Sequence, residues 1–544
     1  MKGYWKLISF GLIAAVTMSP ATAQGPQTPA HPPAGASGEH SRPVADLVHE
    51  RMRQEAADAW TTPSATETAT STAHSINVGG RTLNYHATAG TLVIRDNDGK
   101  PVASMFYTAY TLDGANPSLR PITFFYNGGP GSSSIWLHMG SLAPMRVQTG
   151  NPEAIQPAPF HFGPNPDTLL DRSDLIFLDA IGTGYSAPIG DATGAQFWGV
   201  DQDADAFARG IMRWTERNNR WMSPKFLFGE SYGTTRSAAV AWQLQDRGLA
   251  LNGVILLSSI LNYGIEQEGY DQQYISYLPS YAAAAWYHNR IADRPSELAP
   301  FLAQVRAFAA GPYAAALQKG DAITPEETDA IARQLSAYTG LSVEFIKRAN
   351  LRIDLDRFRK ELLRDQRLVV GRYDARYTGV DPDANADSPD FDPSDTAISG
   401  AFIAAFQDYL ARDLNYHSDI PYRVAAYGTQ GFQWDWHHRL PNRRWPQTTP
   451  DVAPDLAMAM RTNPYLHVLS LNGWYDMATP FFATEYDLSH MMIGADQQRN
   501  ITFHYYPSGH MVYLNPAALH QLHADLETFY DSAVNAAASG RPNG

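Results

Sequence analysis

The chain predicts an α/β fold: a mostly parallel central sheet flanked by helices and interrupted by a mainly helical insertion. Three observations support this. Short continuous apolar runs, such as residues 122–126 and 254–257, read as strands buried on both faces, as parallel sheets require. Helical patterns alternate with them, with Phe207, Ile211 and Trp214 marking one face. Phe228-Gly229-Glu230-Ser231-Tyr232-Gly233 joins an apolar strand directly to a helical stretch. Such a turn can hold a serine hydroxyl exposed.

Residues 1–23 read as a signal peptide. Lys2 and Lys6 precede an apolar run over 7–16, and Ala21-Thr22-Ala23 supplies small residues for cleavage after Ala23. That run is too short to span a bilayer, so a mature protein starting at Gln24, without a membrane anchor and periplasmic or secreted, is expected. Residues 24–75, rich in Pro, Ala, Ser and Thr, read as an arm or linker with a helical island at 44–59. Residues 76–261 form the first part of the core. They open with β-hairpins over 75–111, followed by strands at 122–126, 175–178, 226–228 and 254–257. A helix from about 234 to 247 ends at Gly248. Residues 262–455 lack strong strand patterns and read as a helical cap, in which Thr324-Pro325-Glu326-Glu327 is a capping box that starts a helix. Residues 456–544 complete the core with strands at 467–471 and 501–506. A last helix presents Leu519, Leu522, Leu526 and Phe529 on one side.

Composition narrows the function. The 544 residues suit a large α/β unit with an insertion, and 44% apolar residues can bury a sizeable core. A formal charge of −14 with no Lys/Arg-rich run argues against nucleic acid as a partner. The absence of cysteine excludes a thiolate nucleophile and thiolate metal sites. The sequence leaves the oligomeric state open.

A serine is a weak nucleophile at neutral pH and needs a neighbouring base. Asp476, in Leu471-Asn472-Gly473-Trp474-Tyr475-Asp476, and His510, in Pro507-Ser508-Gly509-His510-Met511, each follow a predicted strand. His138, His437, His438 and His504 lack that post-strand glycine turn. The order Ser, Asp, His is that of α/β-hydrolases. Asn127-Gly128-Gly129-Pro130-Gly131 follows the strand at 122–126, and its backbone amides suit an oxyanion, with the Tyr232 N–H as second donor. A phosphate-binding loop would need a following Lys-Ser/Thr, which is missing.

Four segments together resemble the serine carboxypeptidase family of α/β-hydrolases. They are Asn127-Gly128-Gly129-Pro130-Gly131-Ser132-Ser133-Ser134, Leu178-Asp179-Ala180-Ile181-Gly182-Thr183-Gly184-Tyr185-Ser186, Gly229-Glu230-Ser231-Tyr232-Gly233 and Gly509-His510-Met511-Val512. The resemblance implies Ser231, Asp476 and His510 as the catalytic triad and Gly129 and Tyr232 as the oxyanion hole. It also implies Asn127 and Glu230 as ligands of a substrate's terminal carboxylate, with Gly128, Ser141 and Met511 at the substrate site. The partner is then a peptide with a free C-terminus, and no metal or organic cofactor is implied.

Glu230 must be protonated to donate to a carboxylate. The family pairs this Glu with a second one; here Met139-Gly140-Ser141-Leu142-Ala143-Pro144 puts Ser141 in its place. The usual cause of a raised pKa is thereby weakened, and an optimum less acidic than the family's is expected. Asp381-Pro382-Asp383-Ala384-Asn385-Ala386-Asp387, with Asp390 and Asp392, opens like a calcium loop, but Ala386 replaces the turn glycine; a solvated acidic loop is expected. Trp434, Trp436, His437 and His438 suit either a pocket wall or cap packing. The reading is an exported hydrolase releasing C-terminal amino acids, with an esterase or acyltransferase on the same triad, or a non-catalytic binding protein, as rivals.

Overall fold

The computed structural model describes residues 64–539 apart from 156, 268 and 430. The signal peptide, the helical island at 44–59 and most of the arm lie outside the described residues. The segment read as an arm ends earlier than expected, because its last residues already pair in a sheet. β1 (Ala69–Val78), β2 (Arg81–Arg95) and β3 (Pro101–Leu112) form an antiparallel meander. β4 (Ile122–Tyr126), β5 (Asp174–Leu178), β6 (Lys225–Glu230), β7 (Gly253–Leu257), β8 (His467–Gly473) and β9 (Ile501–Tyr506) follow. The sheet runs β1-β2-β3-β5-β4-β6-β7-β8-β9, with the short strand Ala187–Pro188 beside β3. β3 meets β5 antiparallel, and from β5 onward neighbours are parallel.

Every residue of β4, β5, β6 and β7 is buried, because helices cover both faces. Successive side chains point to opposite faces of a strand. Phe125 therefore stacks between Phe177 and Phe228, at ring-centroid distances of 4.7 and 4.9 Å. This face shares its core with Leu519, Leu522, Leu526 and Phe529 of the last helix, Pro516–Ser539. Phe124, Ile176 and Leu227 face the other way, onto Phe207, Ile211 and Trp214 of the helix Val200–Arg217. The alternation of strand and helix thus yields two cores, one on each side of one sheet.

The insertion has its own apolar core, in which Tyr281 stacks on Phe358 at 4.0 Å. That core continues into Tyr475, Met477 and Phe481, which follow β8. The capping box at Thr324 forms as read: Glu327 N donates to the Thr324 hydroxyl (3.2 Å) and Thr324 N to the Glu327 carboxylate (3.1 Å). Two three-residue strands, Leu368–Val370 and Thr378–Val380, pair within the insertion. They are too short to show a period in the sequence.

The acidic loop is solvated at Asp383, Asp387 and Asp390, as expected, but Asp381 is buried and paired with Lys360 at 2.6 Å. Asp392 caps a short helix through Ser394 N (3.0 Å). Trp434 and Trp436 pack edge-on against Tyr232 at 5.3 and 6.3 Å, on the core rather than within the cap. His438 bridges Asp201 (2.7 Å) and Asp455 (2.9 Å). Burial opposes its charge, yet the two carboxylates hold it up at about 9. Among the described residues no helix is long and apolar enough to cross a membrane.

Candidate active site

The C-terminal ends of β4, β6, β8 and β9 converge on one edge of the sheet, the usual place for a site in an open α/β fold. Ser231 follows β6 directly and precedes the helix Tyr232–Asp246. Its backbone is at φ 61° and ψ −131°, a conformation costly for a non-glycine residue. The strain is held by Ser231 N donating to Leu257 O (3.0 Å) and Thr234 N to Ser231 O (2.8 Å). Its side chain stays partly open to solvent, whereas Asp476 and His510 are buried.

Asp476 and His510 are brought together. His510 Nδ1 lies 2.8 Å from Asp476 Oδ2. The carboxylate is fixed by Ala478 N (2.8 Å), Thr479 N (3.0 Å) and the Thr479 hydroxyl (2.8 Å). Ser258 Oγ donates to His510 O (2.6 Å) from the end of β7. Burial disfavours the imidazolium, but Asp476, and to a lesser degree Glu230, raise His510 above its ordinary value. Glu230 and His510 each feel the other's charge.

The glycine turn after β4 packs on the start of the Tyr232 helix. A Cβ on Gly128 would collide with the Tyr232 and Gly233 amides, so only glycine permits this approach. Gly129 sits at φ +106°, which side chains avoid, and a Cβ there would strike the Tyr427 hydroxyl. Asn127 is fastened at three points. Its Oδ1 accepts from Leu137 N (2.9 Å), its Nδ2 donates to Glu230 Oε2 (2.8 Å), and its carbonyl accepts from Arg236 (2.6 Å). Arg236 is itself buried and paired with Asp203 at 2.7 Å. Asp179, in the second of the four motifs, accepts from Ser134 N (2.8 Å) and Ser134 Oγ (2.7 Å), closing the far end of the loop.

Glu230 is 1% exposed. Burial pushes its carboxyl up to about 7. The partner carboxylate is missing, which weakens one cause of a raised pKa, yet burial raises Glu230 all the same, with a smaller push from Asp476. Ser141 does not reach Glu230; its hydroxyl donates to Leu137 O (2.5 Å) at the end of the helix Ile135–Gly140. Met511 is buried in the apolar core rather than displayed at the site. Tyr513 instead contacts Glu230, its hydroxyl 3.0 Å from Oε2 and 3.3 Å from Oε1. Three residues beyond His510, it was findable by position alone.

One contribution had no sequence signal. The insertion wedges residues 371–377 against both loops, those that bear Asp476 and His510. Tyr373 O accepts from His510 N (2.6 Å), Arg372 O from Met477 N (3.1 Å), and Tyr475 O from Ala375 N (3.0 Å). Arg376, paired with Asp374 at 2.6 Å, donates to Pro507 O (2.9 Å). Among the described residues, Asp171, His523 and Glu527 group at metal-ligand spacing, but Arg172 pairs with Glu527 at 2.5 Å and His523 with Asp171 at 3.2 Å.

A strained serine after the sheet's third parallel strand, with a buried Asp–His pair at its edge, is the arrangement of an α/β-hydrolase. Residues 80–297 match the family model described as serine carboxypeptidase. The match takes in three of the four motif segments that carry the resemblance and supports a serine-type peptide hydrolase. Its fold is similar to that of a prohormone-processing carboxypeptidase from Saccharomyces cerevisiae, at TM-score 0.51 and 15% identity, covering 82% of this chain and 91% of that one. A proline iminopeptidase from Mycobacterium smegmatis aligns at TM-score 0.34 and 16% identity, covering 82% and 99%. A carboxyl esterase from Bacillus coagulans aligns at TM-score 0.32 and 13% identity, covering 82% and 98%. No curated protein matches the chain significantly.

Proposed function

We propose that this hydrolase releases C-terminal amino acids from peptides through an acyl-enzyme on Ser231. The observation that carries the reading is a buried carboxyl, Glu230, hydrogen-bonded to Asn127 and directly preceding the nucleophile. With Asn127 and Tyr513 both donating to Oε2, Oε1 is the oxygen on which a proton can sit and be offered to a substrate carboxylate. A plain esterase gains nothing from such a group.

In the chemical step His510 takes the Ser231 proton as Oγ attacks the last peptide carbonyl. Asp476 holds the imidazole tautomer and stabilises the imidazolium. The oxyanion is received by the Gly129 and Tyr232 amides, the latter at a helix N-terminus that favours negative charge. His510 then gives its proton to the departing amine, and water, deprotonated by the same imidazole, hydrolyses the ester. The protein is exported, with a mature form starting at Gln24, which an intact-mass measurement of the exported product checks.

Free-acid and C-terminally amidated peptides, assayed beside simple esters, test the reading. Only the free-acid peptides should lose their last residue, and a phosphonate should label the parent but not Ser231→Ala. Ester turnover with no amino acid released would leave an esterase or acyltransferase. No labelling at all would leave a binding protein.

A further inference from the structure

We propose that Arg372 makes this enzyme selective for substrates with an acidic side chain next to the scissile bond. The inference rests on the peptide-hydrolase reading above and adds a substrate class to it.

Arg372 lies on the wedge that the insertion packs against both the Asp476 and His510 loops, so its position is tied to the residues proposed to react. Its carbonyl accepts from Met477 N (3.1 Å), its amide donates to Asp392 (3.1 Å), and the next residue's carbonyl accepts from His510 N. The guanidinium carbon is 5.4 Å from the centre of the Tyr373 ring, which in turn is 5.2 Å from the His510 ring. The positive charge acts on His510 and also on Tyr427, whose hydroxyl covers Gly129 of the oxyanion loop. One cation therefore faces both the base and the anion-stabilising turn.

What distinguishes Arg372 is its lack of an internal counter-ion. Arg120, Arg236 and Arg376 pair with the buried Asp174, Asp203 and Asp374 at 3.0, 2.7 and 2.6 Å. Among the described residues no carboxylate lies within ion-pair distance of the Arg372 guanidinium. Asp392, the carboxylate nearest in the chain's local fold, is occupied by backbone amides and by Ser394. Arg372 is only partly exposed. An enclosed arginine hydrogen-bonded to the neutral Tyr373 but paired with no carboxylate carries a desolvation cost that an incoming carboxylate would offset, through a fork geometry suited to that group.

Glu266 opposes this. Its side chain is open to solvent, yet surrounding protein pushes its carboxyl up and Arg372 pulls it down, as expected of a group lining the same cleft. Beyond ion-pair reach of Arg372, it competes with a substrate carboxylate without replacing it.

The test uses the full-length enzyme and N-blocked peptides with glutamate or its neutral isostere glutamine at each of the two positions flanking the scissile bond. At one of these positions the parent should show kcat/KM about 10- to 100-fold higher for glutamate. Arg372→Met should bring the ratio near one, Arg372→Glu should turn the preference towards lysine, and Glu266→Gln should raise the ratio. A parent indifferent to glutamate at both positions, or an Arg372→Met enzyme that keeps the preference, would overturn the proposal while leaving peptide hydrolysis standing. Should no peptide be cleaved, phosphonates bearing acidic or neutral arms report the same ratio through labelling rates at Ser231. Equal labelling of the parent by both arms would then count against Arg372 independently of the peptide reading.

Discussion

The nucleophile half of the site and the acid–base half are built from different parts of the chain. Ser231, Gly128, Gly129 and Asn127 sit on consecutive strand-to-helix junctions of the sheet, and Arg236, one turn into the Tyr232 helix, clamps Asn127 from beneath. Asp476 and His510 lie on loops that touch each other and that residues 371–377 of the insertion both bind. The first half is a property of the core. The second also depends on contacts from the insertion.

The largest expected effect concerns the acid–base half alone. Asp476→Asn preserves shape but presents an amide N–H where His510 Nδ1 needs an acceptor, favouring the wrong tautomer. A loss of roughly 10⁴-fold in kcat is expected on peptides and esters alike. Phosphonate labelling of Ser231 should slow in parallel, whereas urea unfolding should shift little. An Asp476→Asn enzyme within tenfold of the parent would mean that Asp476 does not orient the base.

The contrast between the halves is also what made one legible and the other not. Gly128, Gly129 and Ser231 are imposed locally: a close approach and two unusual backbone conformations restrict the sequence at fixed spacing, and strands buried on both faces leave continuous apolar runs. Ser258, Thr479 and residues 371–377 act through contacts between segments more than 100 residues apart in places, and nothing local marks them. Ser141 and Met511 failed for a related reason. Their assignments followed position in a motif, but a helix end claims the Ser141 hydroxyl and the core claims Met511. For Glu230 the sequence showed the missing partner carboxylate but not the burial that raises its carboxyl, because burial is a property of the assembled sheet.

The two arginine clamps sharpen the comparison at the level of stability. Arg236→Met and Arg376→Met each strand a buried aspartate, Asp203 and Asp374, and each should cost about 3–5 kcal/mol in urea unfolding. Removing both partners, as Arg376→Met with Asp374→Asn, should recover much of that stability. It should not fully restore kcat, because the Pro507 carbonyl ahead of His510 keeps only one of its two donors, Asn515, either way. Recovery of both together would show that the wedge stabilises the fold without positioning the base.

The smallest effect separates the halves by pH. The proposed peptide hydrolysis requires His510 neutral and Glu230 protonated. The acid limb of kcat/KM therefore reflects an imidazole above its ordinary value, and the alkaline limb a carboxyl near 7. Because the two groups interact, both limbs belong to the pair, and the profile is a narrow bell around neutrality. Esters, which have no terminal carboxylate to bind, should lack the alkaline limb. Glu230→Gln keeps a hydrogen-bond donor without a titrating proton, so peptide hydrolysis by this variant should lose its alkaline limb too. Stability supplies an independent check. A carboxyl raised from 4.5 to about 7 stabilises the fold fully below 4.5, and that contribution fades as pH rises through about 7. The loss is on the order of 3 kcal/mol, and Glu230→Gln should be spared it. A parent whose alkaline limb and stability loss both persist in Glu230→Gln must titrate elsewhere, and Glu230 would then be no more than a buried structural carboxyl.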